Sequence, residues 1–280
     1  MEIVREFKTR PINDVSDFIS EVDIVIPYYG HYEKVTNLIE SIIRFTRSNY
    51  YKIYVVDDNS PNFSYASMIQ RNANNSSDRL KQERFLTVIR NEEQLGFGGA
   101  CEVGYKAGTA PYVCFIHSDC LISNPNWLKN MGEALLNLKS KNVRVVSPQA
   151  NNSGLFDKGF QERGQFDISA KDNTLTEEDK YYILNENESL SLYCFMCHRE
   201  LFSRIGGFIK NYPLGCYEDD EFAFRLNHYG FKQGVCRNSW VHHDGSLTLN
   251  SLKRERQDYL EIMDQNKQSC IDDIKKLLKK

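Results

Sequence analysis

Lys52-Ile-Tyr-Val-Val-Asp-Asp-Asn-Ser-Pro61 is the stretch whose reading decides the fold. Its first half is β-branched and apolar, as a buried strand requires. Its second half is a polar turn closed by a proline that continues neither strand nor helix. The same pattern recurs on both sides: Val22-Asp-Ile-Val-Ile stops at Pro27, and Tyr112-Val-Cys-Phe-Ile stops at His117-Ser118-Asp119. Phe85-Leu-Thr-Val-Ile supplies one more strand. Between these runs the period changes. Val35, Leu38, Ile39 and Ile42 fall on one helical face, and Gly96-Phe-Gly-Gly opens a helix that runs through Ala107. Strands alternating with helices make parallel βαβ units, so the first half is an α/β sheet. Polar residues then collect at the carboxyl ends of its strands, the edge where open α/β sheets bind ligands.

The second half is less regular. Leu128, Met131, Leu135 and Leu138 mark a helix, and Val143-Arg-Val-Val a strand. Asn72 to Asp78 and the longer Asn151 to Glu188 are polar and read as loops. Phe222, Leu226 and Tyr229 line one face of a helix with an acidic first turn, as the helix dipole favours. Leu252 to Lys280 reads as a terminal helix with Ile271, Ile274, Leu277 and Leu278 as its apolar stripe. That stripe is expected to pack on the catalytic body or a second subunit. The alternative is a peripheral membrane contact through its lysines, which Asp272 and Asp273 oppose.

Composition narrows the function classes. Of 280 residues 41% are hydrophobic and 26% charged, and the net charge of −3 gives no electrostatic reason for a nucleic-acid partner. No apolar run is long enough to span a bilayer, and Met1 to Arg10 lacks the apolar core of an export signal. A cytoplasmic protein, in contact with the cytoplasmic face of a membrane if its tail binds lipid, is the expectation. The eight cysteines then read as reduced thiols. Cys194, Cys197 and His198 spell a haem-attachment or half-zinc pattern, yet they sit in an apolar, strand-like run with no second cysteine pair; they read as buried strand residues.

Three clusters carry chemistry. Asp119, at the end of an apolar strand, can offer oxygen to a cation, or can simply cap a turn. Glu218-Asp219-Asp220-Glu221 sets four carboxylates before a helix, after the aromatic and Gly-rich approach Gly207 to Tyr217. Adjacent carboxylates repel one another and raise some of their pKa values towards that of a useful base. His242-His243-Asp244 follows a short apolar strand and pairs imidazoles with an acid, a metal-binding chemistry.

Taken in order, Val25-Ile-Pro-Tyr-Tyr, Val55-Val-Asp-Asp-Asn-Ser, Asn91 through Gly96-Phe-Gly-Gly-Ala, Phe115-Ile-His-Ser-Asp, Gly206-Gly-Phe, Glu218-Asp-Asp-Glu-Phe-Ala-Phe-Arg and His242-His-Asp-Gly-Ser-Leu-Thr resemble the family 2 glycosyltransferases over residues 22 to 250. The resemblance implies a GT-A type nucleotide-sugar-binding fold: a mostly parallel central sheet flanked by helices. It divides the chain into an extension (1–21), a nucleotide-binding half (22–120), an acceptor-binding half (121–250) and a C-terminal helix (251–280). It implies inverting transfer of a hexosyl or rhamnosyl group from a nucleotide diphosphate to a glycan or lipid-linked saccharide. A cell-surface polysaccharide precursor is the acceptor class it suggests. By the same resemblance Pro27, Tyr29, Asp58 and Gly96 hold the nucleotide, and Asp119 is the last acid of an Asp-x-Asp motif that grips the diphosphate through Mn²⁺ or Mg²⁺. Asp219 is the general base with Glu218 beside it, and His243 or His242 is a further metal ligand, spacing favouring His243. His117 departs from the pattern by standing where the first acid of that motif would be; it is placed with the nucleotide-binding residues, the alternatives being contact with the metal or with neither. The competing readings are a nucleotidyltransferase, which lacks its phosphate loop here, and an inactive relative that only binds a glycan or protein.

Overall fold

The computed structural model describes residues 20–46, 51–76, 85–151, 155–157, 176, 179–185, 188–208, 212–245, 251–254 and 256–279. The N-terminal extension up to residue 19, most of the loop expected over 151–188, and residues 246–250, which include the last three of the final motif, lie outside them. The first half is built as its sequence implies. Strands β1 (Val22–Tyr28), β2 (Tyr51–Asp57), β3 (Leu86–Arg90) and β4 (Tyr112–Ile116) are parallel, in the order β3-β2-β1-β4. Helices α1 (Tyr32–Phe45), α2 (Ser64–Ser76) and α3 (Gly96–Ala107) join them. The polar stretch Asn72 to Asp78 is not wholly a loop, because α2 continues to Ser76.

Every residue of β1 is buried, including Asp23. Its carboxylate receives Ala110 N–H at 2.7 Å and the Arg199 guanidinium at 2.6 Å, the partners that offset its desolvation. Helix α1 lays Val35, Leu38, Ile39 and Ile42 into the core, each contributing about 1.5–3 kcal/mol. Helix α3 comes closer to the sheet because Gly104 faces Val25 and Val56; a Cβ there would collide with Val25.

Beyond β4 the sheet becomes mixed. Strands β5 (Cys120–Ile122), β6 (Val143–Ala150), β10 (Cys194–His198) and β11 (Lys232–His243) extend it in the order β4-β10-β6-β11-β5. Strand β10 runs antiparallel to both neighbours, whereas β11 runs parallel to β6 and antiparallel to β5. Parallel pairing therefore belongs mainly to the first half of the chain. The polar segment 151–188 holds short strands that its composition concealed. Strand β8 (Tyr181–Ile183) pairs with β11, and β7 (Leu155–Asp157) pairs with β9 (Glu188–Leu190) in a separate ribbon. Cys194 and Cys197 are buried in β10 as free thiols.

Helices α4 (Trp127–Asn137), α5 (Arg199–Arg204) and α6 (Glu218–His228) cover the second half, and α7 (Tyr259–Leu278) closes the chain against α6. Helix α7 docks by a face that only partly coincides with the expected stripe. It buries Asn266, Cys270 and Asp273; of the stripe, Ile274 and Leu277 are half-buried, and Ile271 and Leu278 are 37% and 66% exposed. Among the described residues no helix is long and apolar enough to cross a membrane.

Candidate active site

The carboxyl ends of the parallel strands open into a cleft of about 510 Å³. Pro27, Tyr29, Asp58, Gly96, His117, Asp119, Glu218, Asp219 and His243 all line it; His242 does not. Residues picked out by separate motifs thus share one cavity.

The turn after β2 is fixed from within. Asp57 pairs with Arg90 at 2.5 Å and accepts Ser60 N–H at 2.8 Å. Asp58, 4% exposed, accepts from Leu95 N–H and Asn91 Nδ2 on one oxygen and from Gly96 N–H on the other, each at 2.8 Å. Burial pushes its carboxyl up while these three donors oppose the shift. A carboxylate has about four acceptor sites. Asp58 therefore acts chiefly by tying the loop before α3 into the cleft wall, and little capacity is left for a ligand. Gly96 needs its freedom here: its φ is +75°, and a Cβ would stand 3.0 Å from Tyr212 O.

At the far side of β4, His117, Ser118 and Asp119 form a tight turn, with Cys120 N–H bonding His117 O at 3.1 Å. The turn aims Asp119 at His243, whose Nε2 lies 3.4 Å from Asp119 Oδ1, and His117 Nδ1 lies 4.0 Å from the same oxygen. Among the described residues these three form a group of ligand-type side chains whose donor atoms lie within 4.8 Å of one another. Adjacent donors on an octahedral ion about 2.1 Å away are about 3 Å apart, and opposite donors about 4.2 Å. The spacing therefore fits one divalent cation after small adjustments. The protonation states fit as well. Burial brings the His117 imidazole down to about 4. For Asp119 burial acts upward, but His243 and His117 together outweigh it and bring the carboxyl down to about 2. At neutral pH His117 is an unprotonated imidazole and Asp119 a carboxylate, the forms that ligate metals.

The ring of His243 is held by stacking on Tyr193, with centroids 4.9 Å apart, and Asn151 Oδ1 accepts the backbone N–H of His243 at 2.8 Å. His242, one residue earlier in β11, must face the other way by the two-residue period of a strand. Its Nε2 lies 3.0 Å from Asp244 Oδ1, and Asp244 is in turn bound to Lys34 at 2.6 Å. Two of the ligands suggested by the sequence thus stand together with His117, and His242 stands apart.

The acidic cluster divides its work similarly. Glu221 is fully buried and bound within α6 to Arg225 by two contacts of 2.6–2.7 Å. Arg225 also donates to Ile205 O and Gly207 O, fastening the loop under the cleft. Asp220 is exposed. Glu218 and half-buried Asp219 face the cleft, and Glu218 Oε2 is buried without a hydrogen-bond partner among the described residues. Burial, then the charge of Asp219, pushes the Glu218 carboxyl up; burial, then Asp220, does the same for Asp219. Replacing Arg225 by leucine would strand the Glu221 charge in the core. Urea unfolding should show a loss of about 3–5 kcal/mol, and a loss under 1 kcal/mol would contradict that reading of the pair. Ser191, Leu192, Leu252 and Met263 also line the cleft; none lies in a motif, and tertiary packing alone brings them there, whereas Tyr217 belongs to the aromatic approach before the acidic cluster.

An open α/β sheet with a cleft at its strand ends, side chains able to hold a cation at one side and raised carboxylates at the other is the architecture of the GT-A glycosyltransferase fold class. Residues 23–206 match the profile of glycosyl transferase family 2, and the chain belongs to that family. No curated protein matches the sequence. Solved structures similar in fold include GalNAc-T7 with UDP, GalNAc and Mn²⁺, at a TM-score of 0.62 and 15% identity over 80% of this chain and 43% of that one. The mannosyltransferase PcManGT from Pyrobaculum calidifontis, in complex with GDP-Man and Mn²⁺, superposes with a TM-score of 0.58 at 15% identity, covering 82% of this chain and 58% of that one. S. aureus TarS 1–349 gives 0.54 at 14% identity, covering 84% and 64%. The chain thus spans less than two thirds of each of these proteins.

Proposed function

We propose that this chain transfers a hexosyl or rhamnosyl group from a nucleoside-diphosphate sugar to a hydroxyl of a glycan or lipid-linked saccharide, inverting the anomeric centre in one displacement. One observation carries the reading: a single cleft holds the His117–Asp119–His243 set and the Glu218–Asp219 pair. Pro27, Tyr29 and the Gly96 turn form the wall against which a nucleoside would lie. The structures of GalNAc-T7 and PcManGT, with UDP or GDP-Man and Mn²⁺, support a nucleotide and a divalent metal as ligands of this fold. Bound by His117, Asp119 and His243, Mn²⁺ or Mg²⁺ would neutralise the charge gathering on the departing diphosphate. Asp219 takes the proton of the acceptor hydroxyl as its oxygen attacks the anomeric carbon. No residue is needed as a covalent nucleophile in such a displacement.

The test is release of nucleoside diphosphate from a panel of UDP-, GDP- and dTDP-sugars, with water as the acceptor and Mn²⁺ present. At least one donor should be turned over. The rate should fall on acidification, since Asp219 must be ionised to act and its burial raises its pKa. The acid limb should therefore lie above the ordinary aspartate range. No turnover of any donor, despite tight nucleotide binding, would favour a binding protein instead.

A further inference from the structure

The turn that delivers Asp219 is unusual. Leu214, Gly215, Cys216 and Tyr217 have φ values of 65°, 98°, 76° and 71° in succession. Only the glycine adopts this region without steric cost, so three side-chain-bearing residues are held in it against their preference. Tyr217 then stands at the N-cap of α6 without a side-chain capping bond, directly before Glu218 and Asp219. Such a turn persists only where its surroundings over-determine it.

The surroundings come from helix α7. Asn266, 0% exposed, donates through Nδ2 to Pro213 O at 2.9 Å and to Gly215 O at 2.8 Å, the carbonyls on either side of Leu214. One turn further along the same face, Cys270 is buried, and Asp273 Oδ2 lies 3.5 Å from Tyr212 OH. From the opposite side Gly96, at the start of α3, abuts Tyr212 O, Leu214 N and Gly215 N. The turn is gripped between the nucleotide-side helix and α7.

Two features argue that Asn266 serves the turn rather than the docking of the helix. Helix α7 buries an amide, a thiol and a carboxylate, whereas Ile262, Met263, Ile274 and Leu277 are only half-buried and Ile271 and Leu278 are exposed, so apolar contact alone does not set its docking face. Asn266 Oδ1 is also buried without a partner among the described residues, a cost in stability tolerated at this position. The amide cannot be turned over, because Oδ1 would then face two carbonyl oxygens.

We propose that Asn266 is a positioning residue: its amide, supplied by a helix beyond the family-matched segment, locks the 213–217 turn and so sets where Asp219 stands in the cleft. The proposal rests on Asp219 being the base. It predicts a split between binding and turnover. Asn266→Leu keeps the volume and loses both donors; Asn266→Asp keeps the shape and turns an oxygen on each carbonyl. Both should speed hydrogen exchange at the amides of 212–217 while leaving the affinity for UDP with Mn²⁺ unchanged. Donor hydrolysis per UDP-binding site should fall about 10- to 10²-fold, as misplacement of a reacting group does. The acid limb of the rate should move down towards the ordinary aspartate range as the base gains water. Asn266→Ser, which retains one donor, should fall between these variants and the wild type, and it carries the comparison if the others do not fold.

Unchanged exchange at 212–217, or turnover per binding site equal to wild type, would overturn the proposal. The base assignment fails separately. If Asp219→Asn keeps its turnover while Asn266→Leu loosens the turn and loses turnover, the turn is still locked by Asn266 but serves another group. If Asp219→Asn is inactive and Asn266→Leu is normal in both measurements, the base stands and Asn266 is merely structural.

Discussion

Replacing Asp219 by asparagine lowers turnover by about 10² or more, the ordinary worth of a general base, and leaves nucleotide affinity nearly unchanged. The neighbouring carboxylates supply the controls, because the structure gives each a different environment. Asp220 also lines the cleft but is exposed to water, so Asp220→Asn should lower turnover far less than Asp219→Asn. Glu221 is bound to Arg225 in the core, so its loss should appear in stability rather than in a selective fall in turnover. Glu218 is buried beside Asp219 with its carboxyl pushed up, so it is the nearest proton-holding neighbour, and Glu218→Gln should alter the pH profile. Steady-state release of nucleoside diphosphate from the responsive donor checks all four variants. Normal turnover in Asp219→Asn with loss in Asp220→Asn would shift the base by one residue.

Removing Asp119 has an effect of comparable size for a different reason. Asp119 is the anionic member of a set whose other members are imidazoles, and His117 is neutral at working pH. Without it, cation affinity drops and the negative charge of the leaving diphosphate is left in a partly dry cleft. Charge stabilisation by a bound ion is worth several kcal/mol, so Asp119→Ala should lose about 10² or more in turnover. Chelation by EDTA should bring the wild type to the same low rate and leave the variant where it was. His243→Ala should act in the same direction, and His242→Ala should not, because His242 bonds Asp244 outside the cleft.

Much of this site was legible in the sequence because its residues sit at the ends of strongly patterned elements. Pro27, Asp58, Asp119 and His243 each follow or end an apolar strand, and topology carries strand ends to one edge. The choice between His242 and His243 could also have been narrowed, since a strand's alternation forbids both from facing one ion. Other features were not local properties of the chain. The position of β10 between β4 and β6 depends on antiparallel insertion across residues far apart in sequence. Strands β7, β8 and β9 have three residues each, too short for periodicity to show through polar surroundings. In sequence Asp58 reads as a ligand-binding acid, yet only its three-dimensional partners reveal how far it is committed to Leu95, Gly96 and Asn91. The apolar stripe of helix α7 marks only part of its docking face: Ile274 and Leu277 are half-buried, and hydrogen bonds from Asn266 to backbone carbonyls, which no hydrophobic pattern records, complete the contact.

Calorimetric titration of UDP and GDP into wild type and Asp119→Ala, each with Mn²⁺ and with EDTA, tests the central claim most directly. That claim is that the cleft binds a nucleoside diphosphate through a cation held by His117, Asp119 and His243. The wild type should bind at least one of the two nucleotides about tenfold or more tightly with Mn²⁺, a difference of about 1.4 kcal/mol, and Asp119→Ala should bind it equally weakly in both conditions. Equal affinity of the wild type with and without Mn²⁺, or a metal effect that survives in Asp119→Ala, would contradict it.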